Sequence, residues 1–303
     1  MTVSYCIPLY NKERYIAIVL EAALAERART GGEVLVYDDA STDGSGRTAA
    51  AIAAQHPITL IEGAQNRGVY DAMSILMAQA SQPYLRVVDA DDVALPGSTE
   101  HLLGLLGRHD AVLAHGVIGW QGKPLPPQDF SAASIRVDER PLRPLLRNID
   151  FNLSASVMPA AAARAALPLP AGLRISQDLC VTLRLAKRGR LVHSAAIVIQ
   201  QPAESDNRLS RRLAAMYRDI CLILAEEFSG EGSGSDAAFA VRRQAGRCAR
   251  YFRREAPGGL SGRDRLFLAR CRLAAWCEPV GLQAERLRRI AGIFGRDAAR
   301  VLA

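Results

Sequence analysis

Short apolar runs alternate with longer segments of helical periodicity through the first 115 residues of the chain. The runs are rich in apolar and β-branched residues, which is typical of buried strands. Five runs have this character: Val3–Leu9, Glu33–Tyr37, Ile58–Ile61, Tyr84–Val88 and Ala111–Ala114. Between them, apolar residues recur at three- and four-residue spacing and predict helices, as in Lys12–Ala28. This alternation predicts an α/β protein with a doubly wound, mainly parallel sheet.

The rest of the chain predicts fewer strands and more helix. A helix is predicted over Gln177–Arg188, with Gly189 as its stop. From Arg208 onwards the sequence is helical and Arg-rich, and a Gly- and Ser-rich stretch at 229–235 indicates a linker or flexible loop. The strands predicted in this part are Asn152–Met158, Leu191–Val192 and Ala196–Ile199.

Polar clusters follow the predicted strands of the first part. They occupy residues 10–13, 38–43, 66–71 and 89–92. In a doubly wound sheet, ligands bind beyond the carboxyl ends of the strands. The four clusters therefore predict a single site along one edge of the sheet.

The acidic cluster at 89–92 carries the clearest chemistry. If strand geometry persists through it, Asp89 and Asp91 share a face and Asp92 points away. Two carboxylates on one face repel each other unless a cation or a basic partner lies between them. Mg²⁺ or Mn²⁺ would meet this need and would also hold a phosphate. We therefore predict a metal site at Asp89 and Asp91; the alternative is a set of solvated loop aspartates.

Composition and charge narrow the class of protein. The hydrophobic content of 49% and charged content of 23% over 303 residues are typical of a soluble globular protein. Six scattered Cys without zinc spacing and an N-terminus without a basic leader predict a cytoplasmic protein with reduced thiols. The net charge of +7 is concentrated at the end, where fifteen Arg and no Lys face five acidic residues from Val241 onwards.

Five segments, in this order, resemble the motifs of the family-2 glycosyltransferases of the GT-A fold. The resemblance covers about residues 1–200. It implies transfer of a sugar, with inversion, from a nucleotide-diphosphate-sugar donor to a hydroxyl of a glycan or lipid-linked acceptor in cell-envelope or exopolysaccharide synthesis. The segments are Ser4–Glu13, Tyr37–Ser45, Gly68–Met73, Asp89–Asp92 and Ser176–Ala186.

The resemblance also implies roles for individual residues. Asp178 would be the catalytic base that takes the proton of the acceptor hydroxyl. The pair Asp89 and Asp91 would hold Mg²⁺ or Mn²⁺, which neutralises the diphosphate leaving group. Within the donor site, Pro8 and Tyr10 would enclose the base and ribose, Asp38 or Asp39 would accept a hydrogen bond from the base, and Asn66 and Arg67 would meet the diphosphate or sugar. The donor-binding residues expected in full are Pro8, Tyr10, Asn11, Asp38, Asp39, Asn66, Arg67, Asp89 and Ala90.

Plain structural roles compete with several of these assignments. Asp38 and Asp43 suit turns and helix caps, and Asn66 with Arg67 suits a simple turn. Asp178 follows Ser176, a candidate N-cap, so its carboxylate would also suit the helix start. Two departures from the family are Gln177, where many relatives are acidic, and the segment 200–208, which lacks the usual basic or His-containing motif. Substitutes for that motif would be Arg208, Arg211 or Arg212.

The implied domains are a glycosyltransferase domain at 1–205 and an Arg-rich helical extension at 206–303. The first would comprise a nucleotide-sugar half at 1–115 and an acceptor half at 116–205. The extension would either rest on the inner, anionic face of a membrane or pack on the catalytic domain. Its apolar side would be supplied by Leu266, Phe267, Leu273 and Trp276.

Other classes of function are less consistent with the sequence. A dinucleotide-dependent dehydrogenase or a sugar nucleotidyltransferase would need a Gly-rich loop after the first strand, and residues 8–13 contain no Gly. The competing hypothesis is an Arg-tailed nucleotide- or nucleic-acid-binding module without transferase activity. The few aromatic residues of the tail and the lack of a nucleic-acid motif argue against nucleic acid as a partner.

Overall fold

The computed structural model describes residues 1–121, 129–148, 152–170, 173, 175–202, 213–229, 234–254, 259–274 and 280–301. Its internal contacts divide the chain into two compact units. The first unit comprises Met1–Pro141, Asp150–Ala171 and Gln177–Ser205; the second comprises Leu142–Ile149, Gly172–Ser176 and Asp206–Ala303. The predicted functional residues Arg208, Arg211, Arg212 and Trp276 lie outside the described residues.

Nine strands and eleven helices make up the described parts of the chain. The strands are β1 Val3–Leu9, β2 Gly32–Asp38, β3 Ile58–Glu62, β4 Tyr84–Val87, β5 Val93–Ala94, β6 Ala111–Trp120, β7 Ile135–Asp138, β8 Ser156–Pro159 and β9 Arg190–Gln201. The helices are α1 Ile16–Thr30, α2 Ser45–Ala53, α3 Val69–Gln79, α4 Ser98–His109, α5 Leu142–Arg147, α6 Ala160–Arg164, α7 Gln177–Ala186, α8 Leu213–Glu227, α9 Gly234–Arg254, α10 Gly262–Ala274 and α11 Val280–Val301.

The strands of the first unit form one sheet in the order β3-β2-β1-β4-β8-β6-β9-β5, and β7 pairs with β9. Strands β3, β2, β1 and β4 are mutually parallel, whereas β8 is antiparallel to both of its neighbours. The predicted α/β fold with a mainly parallel, doubly wound sheet is therefore confirmed. Because parallel strands share one direction, the loops after β1, β2, β3 and β4 all leave the sheet at the same edge.

A buried ion pair fixes the strand that leads into the acidic cluster. Arg86 in β4 is fully buried and donates to the hydroxyls of Ser98 at 2.8 Å and Thr99 at 2.5 Å. Its guanidinium lies 3.6 Å from the carboxylate of Glu26, which also accepts the backbone N–H groups of Gly97 and Thr99. The acidic cluster is thus tied, through β4, to α1 and to the start of α4.

Several elements differ from the sequence predictions. The strand predicted at Tyr84–Val88 ends at Val87, and beyond it the N–H of Asp92 donates to the carbonyl of Asp89 at 2.8 Å and closes a turn. The strand geometry on which the expected alternation of Asp89, Asp91 and Asp92 depended therefore does not persist through residues 89–92. The strand predicted from Asn152 begins instead with a 3₁₀ turn at 153–155.

Pairing partners explain two further differences. The two strands predicted at Leu191–Val192 and Ala196–Ile199 are one strand, β9, because it pairs along its length with β6. Strands β5 and β7 were not predicted. Both pair with β9, and such short elements carry too little periodicity to stand out in a sequence.

The second unit is helical. Helix α11 packs on α8 and α9, and α10 packs on α9. The ring of Phe294 contacts the rings of Tyr217, Tyr251 and Phe252. Among the described residues, no helix is long and apolar enough to cross a lipid bilayer.

Candidate active site

The loop after β1 is tied to the loop after β2 by hydrogen bonds. The N–H of Asn11 donates to Ser41 Oγ at 3.1 Å, and its side-chain oxygen accepts the N–H of Thr42 at 2.8 Å. The N–H of Lys12 donates to Ser45 Oγ at 2.7 Å. Asn11 adopts a left-handed conformation, with φ of 52°, which Asn tolerates better than most residues. The side chain of this predicted donor-binding residue therefore holds the loop in shape.

Three other predicted donor-binding residues lie beside this pair of loops. Pro8 is half-buried, and the side chain of Tyr10 is 42% exposed. Asp38 is buried at the end of β2, where its carboxylate accepts the N–H of Ser41 at 3.0 Å. A Cβ atom at Gly46 would lie only 2.4 Å from Oδ2 of Asp38, so the absence of a side chain there makes room for the carboxylate.

Asp39 shapes the next loop. It is buried, and its two oxygens accept the N–H groups of Arg67 at 2.8 Å and Gly68 at 2.7 Å. The side chains of Asn66 and Arg67 remain exposed, and Arg67 pairs with Asp71 at 3.1 Å. Both carboxylate oxygens of Asp39 therefore accept backbone N–H groups. The side chains of Asn66 and Arg67 extend from the turn that these hydrogen bonds stabilise.

The acidic cluster after β4 concentrates negative charge. Asp92 is buried and accepts the amide of Gln201 at 2.9 Å. Burial raises the pKa of Asp92 well above its ordinary value, and the charges of Asp89 and Asp91 raise it further. Hydrogen bonds from Gln201 and Ser154 oppose this shift. Ala90, which separates Asp89 from Asp91 in the sequence, is buried.

One cation approaches the cluster from the loop after β1. Nζ of Lys12 lies 2.5 Å from Oδ2 of Asp91, and both side chains are largely buried. Lys12 was not among the predicted site residues. No local pattern reveals this contact, because it joins two loops that only the sheet brings together.

A 3₁₀ turn at 153–155 joins the acidic cluster to Asp178. The side chain of Asn152 accepts the N–H of Ser154 at 2.7 Å and so shapes the turn. Ser154 Oγ accepts the N–H of Asp89 at 2.9 Å, and the backbone N–H of Leu153 donates to the carboxylate of Asp178. Sequence reasoning missed this turn, although Asn two residues before Ser is a signal for one.

Asp178 lies in the first turn of α7, and the structure brings it to Asp89. Asp178 is half-buried, and protein atoms surround its carboxylate. This desolvation raises the pKa of Asp178 well above its ordinary value, and the charges of Asp89 and Asp92 add to the shift. The preceding Gln177 is buried.

The donor set of the cluster fits a divalent cation that shares its ligands with a substrate. Asp89 and Asp91 offer carboxylate oxygens, and their negative charges add to the burial that raises the pKa of Asp92. Within the described ranges, no group of three or more His, Cys, Asp or Glu side chains is arranged to hold a metal ion. Mg²⁺ commonly uses one or two carboxylates together with substrate phosphates, so a complete protein cage is not required.

A mostly parallel sheet, with acidic and Asn-containing loops at its carboxyl edge and an antiparallel continuation, defines the GT-A class of glycosyltransferase fold. Within this class, the chain belongs to Glycosyl transferase family 2, whose family model matches residues 4–162. The family resemblance seen in the sequence is thereby confirmed. The nucleic-acid-binding alternative finds no support in this match.

Known proteins resemble the chain over different lengths. EpsE of Bacillus subtilis is 31% identical over 109 residues, which are 35% of this chain and 39% of EpsE. S. aureus TarS in complex with UDP-GlcNAc superposes with a TM-score of 0.65 at 15% identity, covering 98% of this chain and 92% of TarS. The mannosyltransferase PcManGT from Pyrobaculum calidifontis, in complex with GDP-Man and Mn²⁺, has a TM-score of 0.59 at 17% identity over 96% of this chain and 86% of its own. At these identities, the two structures show a shared fold.

Proposed function

We propose that the protein is an inverting glycosyltransferase that moves a sugar from a nucleotide-diphosphate donor to a hydroxyl of a glycan or lipid-linked acceptor. The observation that carries this proposal is the convergence of Asp89 and Asp178. They come from distant segments, yet one 3₁₀ turn contacts both, through Ser154 and Leu153. A carboxylate that can hold a metal-bound diphosphate therefore lies beside one that can accept a proton.

The donor would bind along the loops after β1, β2 and β3. Pro8 and Tyr10 offer apolar surface for the base and ribose, and Asp38 supplies a buried carboxylate next to them. The turn held by Asp39 presents Asn66 and Arg67 as exposed donors of hydrogen bonds. The molecules bound to TarS and PcManGT, UDP-GlcNAc and GDP-Man, are both nucleotide-diphosphate sugars, which supports this class of substrate.

Asp89 and Asp91 would hold Mg²⁺ or Mn²⁺. When bound, such an ion neutralises the diphosphate as it leaves the anomeric carbon. Lys12 adds a positive charge at the same place, because its ammonium group already contacts Asp91. The Mn²⁺ in the PcManGT complex supports a divalent cofactor for this fold.

Asp178 would act as the general base. The acceptor oxygen forms a bond to the anomeric carbon from the face opposite the diphosphate, while its proton passes to Asp178 and the bond to the diphosphate breaks. A carboxylate with a raised pKa is a stronger base than an ordinary aspartate, which suits this role. Attack from the opposite face inverts the anomeric configuration.

A screen of nucleotide sugars tests the proposal. UDP- and GDP-sugars are incubated with the full chain and Mn²⁺ or Mg²⁺, and release of the nucleoside diphosphate is measured with and without EDTA. We expect metal-dependent release from at least one donor and its loss in Asp91→Asn. Asp110→Asn is the matched control, because Asp110 is exposed at the end of α4 and adopts a left-handed conformation that Asn also accepts. Equal release by both variants would contradict the metal role of Asp91.

A further inference from the structure

Two arginines of the second unit converge on one carbonyl oxygen. Arg243 and Arg247 lie one turn apart on α9, and their Nη2 atoms donate to the carbonyl oxygen of Arg147 at 2.6 Å and 3.2 Å. Arg147 ends the short helix α5. Two guanidinium groups that share a single acceptor must lie close together, although both carry a positive charge.

No carboxylate in the described parts of the chain hydrogen-bonds to either arginine. Elsewhere in the same unit, arginines are paired: Arg143 contacts Asp236 at 2.7 Å and Arg218 contacts Asp219 at 2.6 Å. Burial lowers the pKa of Arg247, and the positive charge of Arg243 lowers it further. Among the described residues, the local charge is therefore uncompensated, which is costly for half-buried groups.

Some hydrogen-bond donors of Arg243 and Arg247 are also unused among the described residues. Nε of Arg243 and Nη1 of Arg247 are buried and have no hydrogen-bond partner. One guanidinium would suffice to bond the last carbonyl of α5, and the ion pair of Arg143 with Asp236 already joins α5 to α9. Attachment of α5 alone therefore does not account for two unpaired charges at one place.

We propose that Arg243 and Arg247 form a binding site for a phosphate group. Guanidinium groups match phosphate oxygens in pairs of parallel hydrogen bonds, and Arg is preferred over Lys for this geometry. Both side chains are half-buried, and the hydrogen bonds of their Nη2 atoms to Arg147 lie in an exposed position. The phosphate would belong either to a soluble phosphorylated molecule or to a lipid headgroup, which present the same oxygens. The site stands independently of the proposed transferase activity.

Calorimetric titration of the full chain with inorganic phosphate and with glycerol 3-phosphate, in EDTA, tests the site. The variant R243Q/R247Q removes the pair. The control R253Q/R254Q removes the same charge from an exposed part of the same helix. We expect at least a tenfold loss of affinity in the first variant and less than a twofold change in the second. A third variant, R243K/R247K, keeps the positive charges but loses the guanidinium groups, which can donate two parallel hydrogen bonds. It should also bind phosphate more weakly than the wild-type chain.

Flotation with vesicles separates the two sources of phosphate. Vesicles of phosphatidylcholine alone are compared with vesicles that contain phosphatidylglycerol. Binding of inorganic phosphate or glycerol 3-phosphate that is lost in R243Q/R247Q indicates a soluble ligand. Pair-dependent flotation with phosphatidylglycerol, without soluble binding, indicates a lipid headgroup. Equal loss of binding in R243Q/R247Q and R253Q/R254Q, or no binding by the wild-type chain in either assay, would overturn the proposal. Should R243Q/R247Q not fold, R243K/R247K gives the same comparison.

Discussion

The ammonium nitrogen of Lys12 lies 2.5 Å from Oδ2 of Asp91, across 79 positions of sequence. The contact joins the loop after β1 to the acidic cluster after β4, and these two strands are neighbours in the sheet. In the structure, the cation beside Asp91 is thus an amine of the protein itself. A metal ion that binds Asp91 would have to share the carboxylate with Lys12 or displace it.

The variant Lys12→Met tests that competition. Removing the ammonium group leaves the repulsion among Asp89, Asp91 and Asp92 uncompensated, so we expect stability without metal to fall by about 1 kcal/mol. Mn²⁺ should then raise the melting temperature of the variant more than that of the wild-type chain, as measured by calorimetry. Arg29→Met is the control, since its pair with Glu100 at 3.4 Å is half-exposed. A smaller response to Mn²⁺ in Lys12→Met than in wild type would contradict the competition.

Asp178→Asn separates catalysis from helix capping. The amide oxygen of Asn can still accept the N–H of Leu153, so the turn at 153–155 should keep its shape. If Asp178 is the base, turnover falls at least about a hundredfold while donor affinity stays near normal. If it only supports the start of α7, stability falls by about 1 kcal/mol and turnover is unchanged. Steady-state kinetics and urea denaturation together distinguish the two outcomes.

Asp39→Asn tests whether the turn at 66–68 positions the donor. Asn keeps one acceptor oxygen, but its NH₂ group faces a backbone N–H and cannot accept from it. Because Asp39 is buried, we expect a loss of roughly 1–3 kcal/mol in the free energy of unfolding and an increase in KM for the donor. Asp71→Asn removes the exposed pair with Arg67 and should cost only about 0.5 kcal/mol. A normal KM in a folded Asp39→Asn variant would rule out the positioning role.

Helix α10 tests the membrane hypothesis for the extension. Leu266 and Leu273 are 57% and 83% exposed, whereas Phe267 lies under the guanidinium of Arg289 at 3.9 Å. If α10 rests on an anionic surface, Leu266→Ser with Leu273→Ser reduces flotation with phosphatidylglycerol vesicles at low salt. Leu282→Ser, at a less exposed site on α11, should have little effect. Absence of flotation by the wild-type chain would end this hypothesis.

His115 predicts a loss of stability in acid. Burial, followed by the charge of His193, lowers the pKa of His115 to about 3, from an ordinary value of 6.5. Below about pH 6.5 the unfolded chain binds a proton that the folded chain excludes, so stability falls as the pH drops towards 3. His115→Gln should flatten the dependence of melting temperature on pH in this range. His56→Gln, at an exposed position, should leave it unchanged.

The sequence predicted the parallel half of the fold and the edge that carries the polar loops. This succeeded because the runs of β1, β2 and β4 are mostly buried on both faces and therefore continuous in hydrophobicity. It also indicated that Asp89 and Asp178 would serve one site. The roles proposed for these residues remain predictions.

The contacts between distant loops could not be predicted from the sequence. The bonds of Asp39 with the backbone of Arg67 and Gly68, and of Ser154 with that of Asp89, depend on strand order rather than local pattern. The turn at 89–92 also overrode strand periodicity, because Gln201 on β9 stabilises Asp92 in a buried position. Tertiary partners decided the conformation in each case.

The division of the chain into units has a consequence for biosynthesis. Residues 142–149 belong to the second unit, although they are translated long before 206–303. Helix α5, whose Leu145 and Leu146 are buried, packs with α9. During translation α5 is made before its partner α9, so the helical unit can assemble only after residues 206–303 have been synthesised. For the same reason, a fragment ending at residue 205 would contain helix α5 without its packing partner α9.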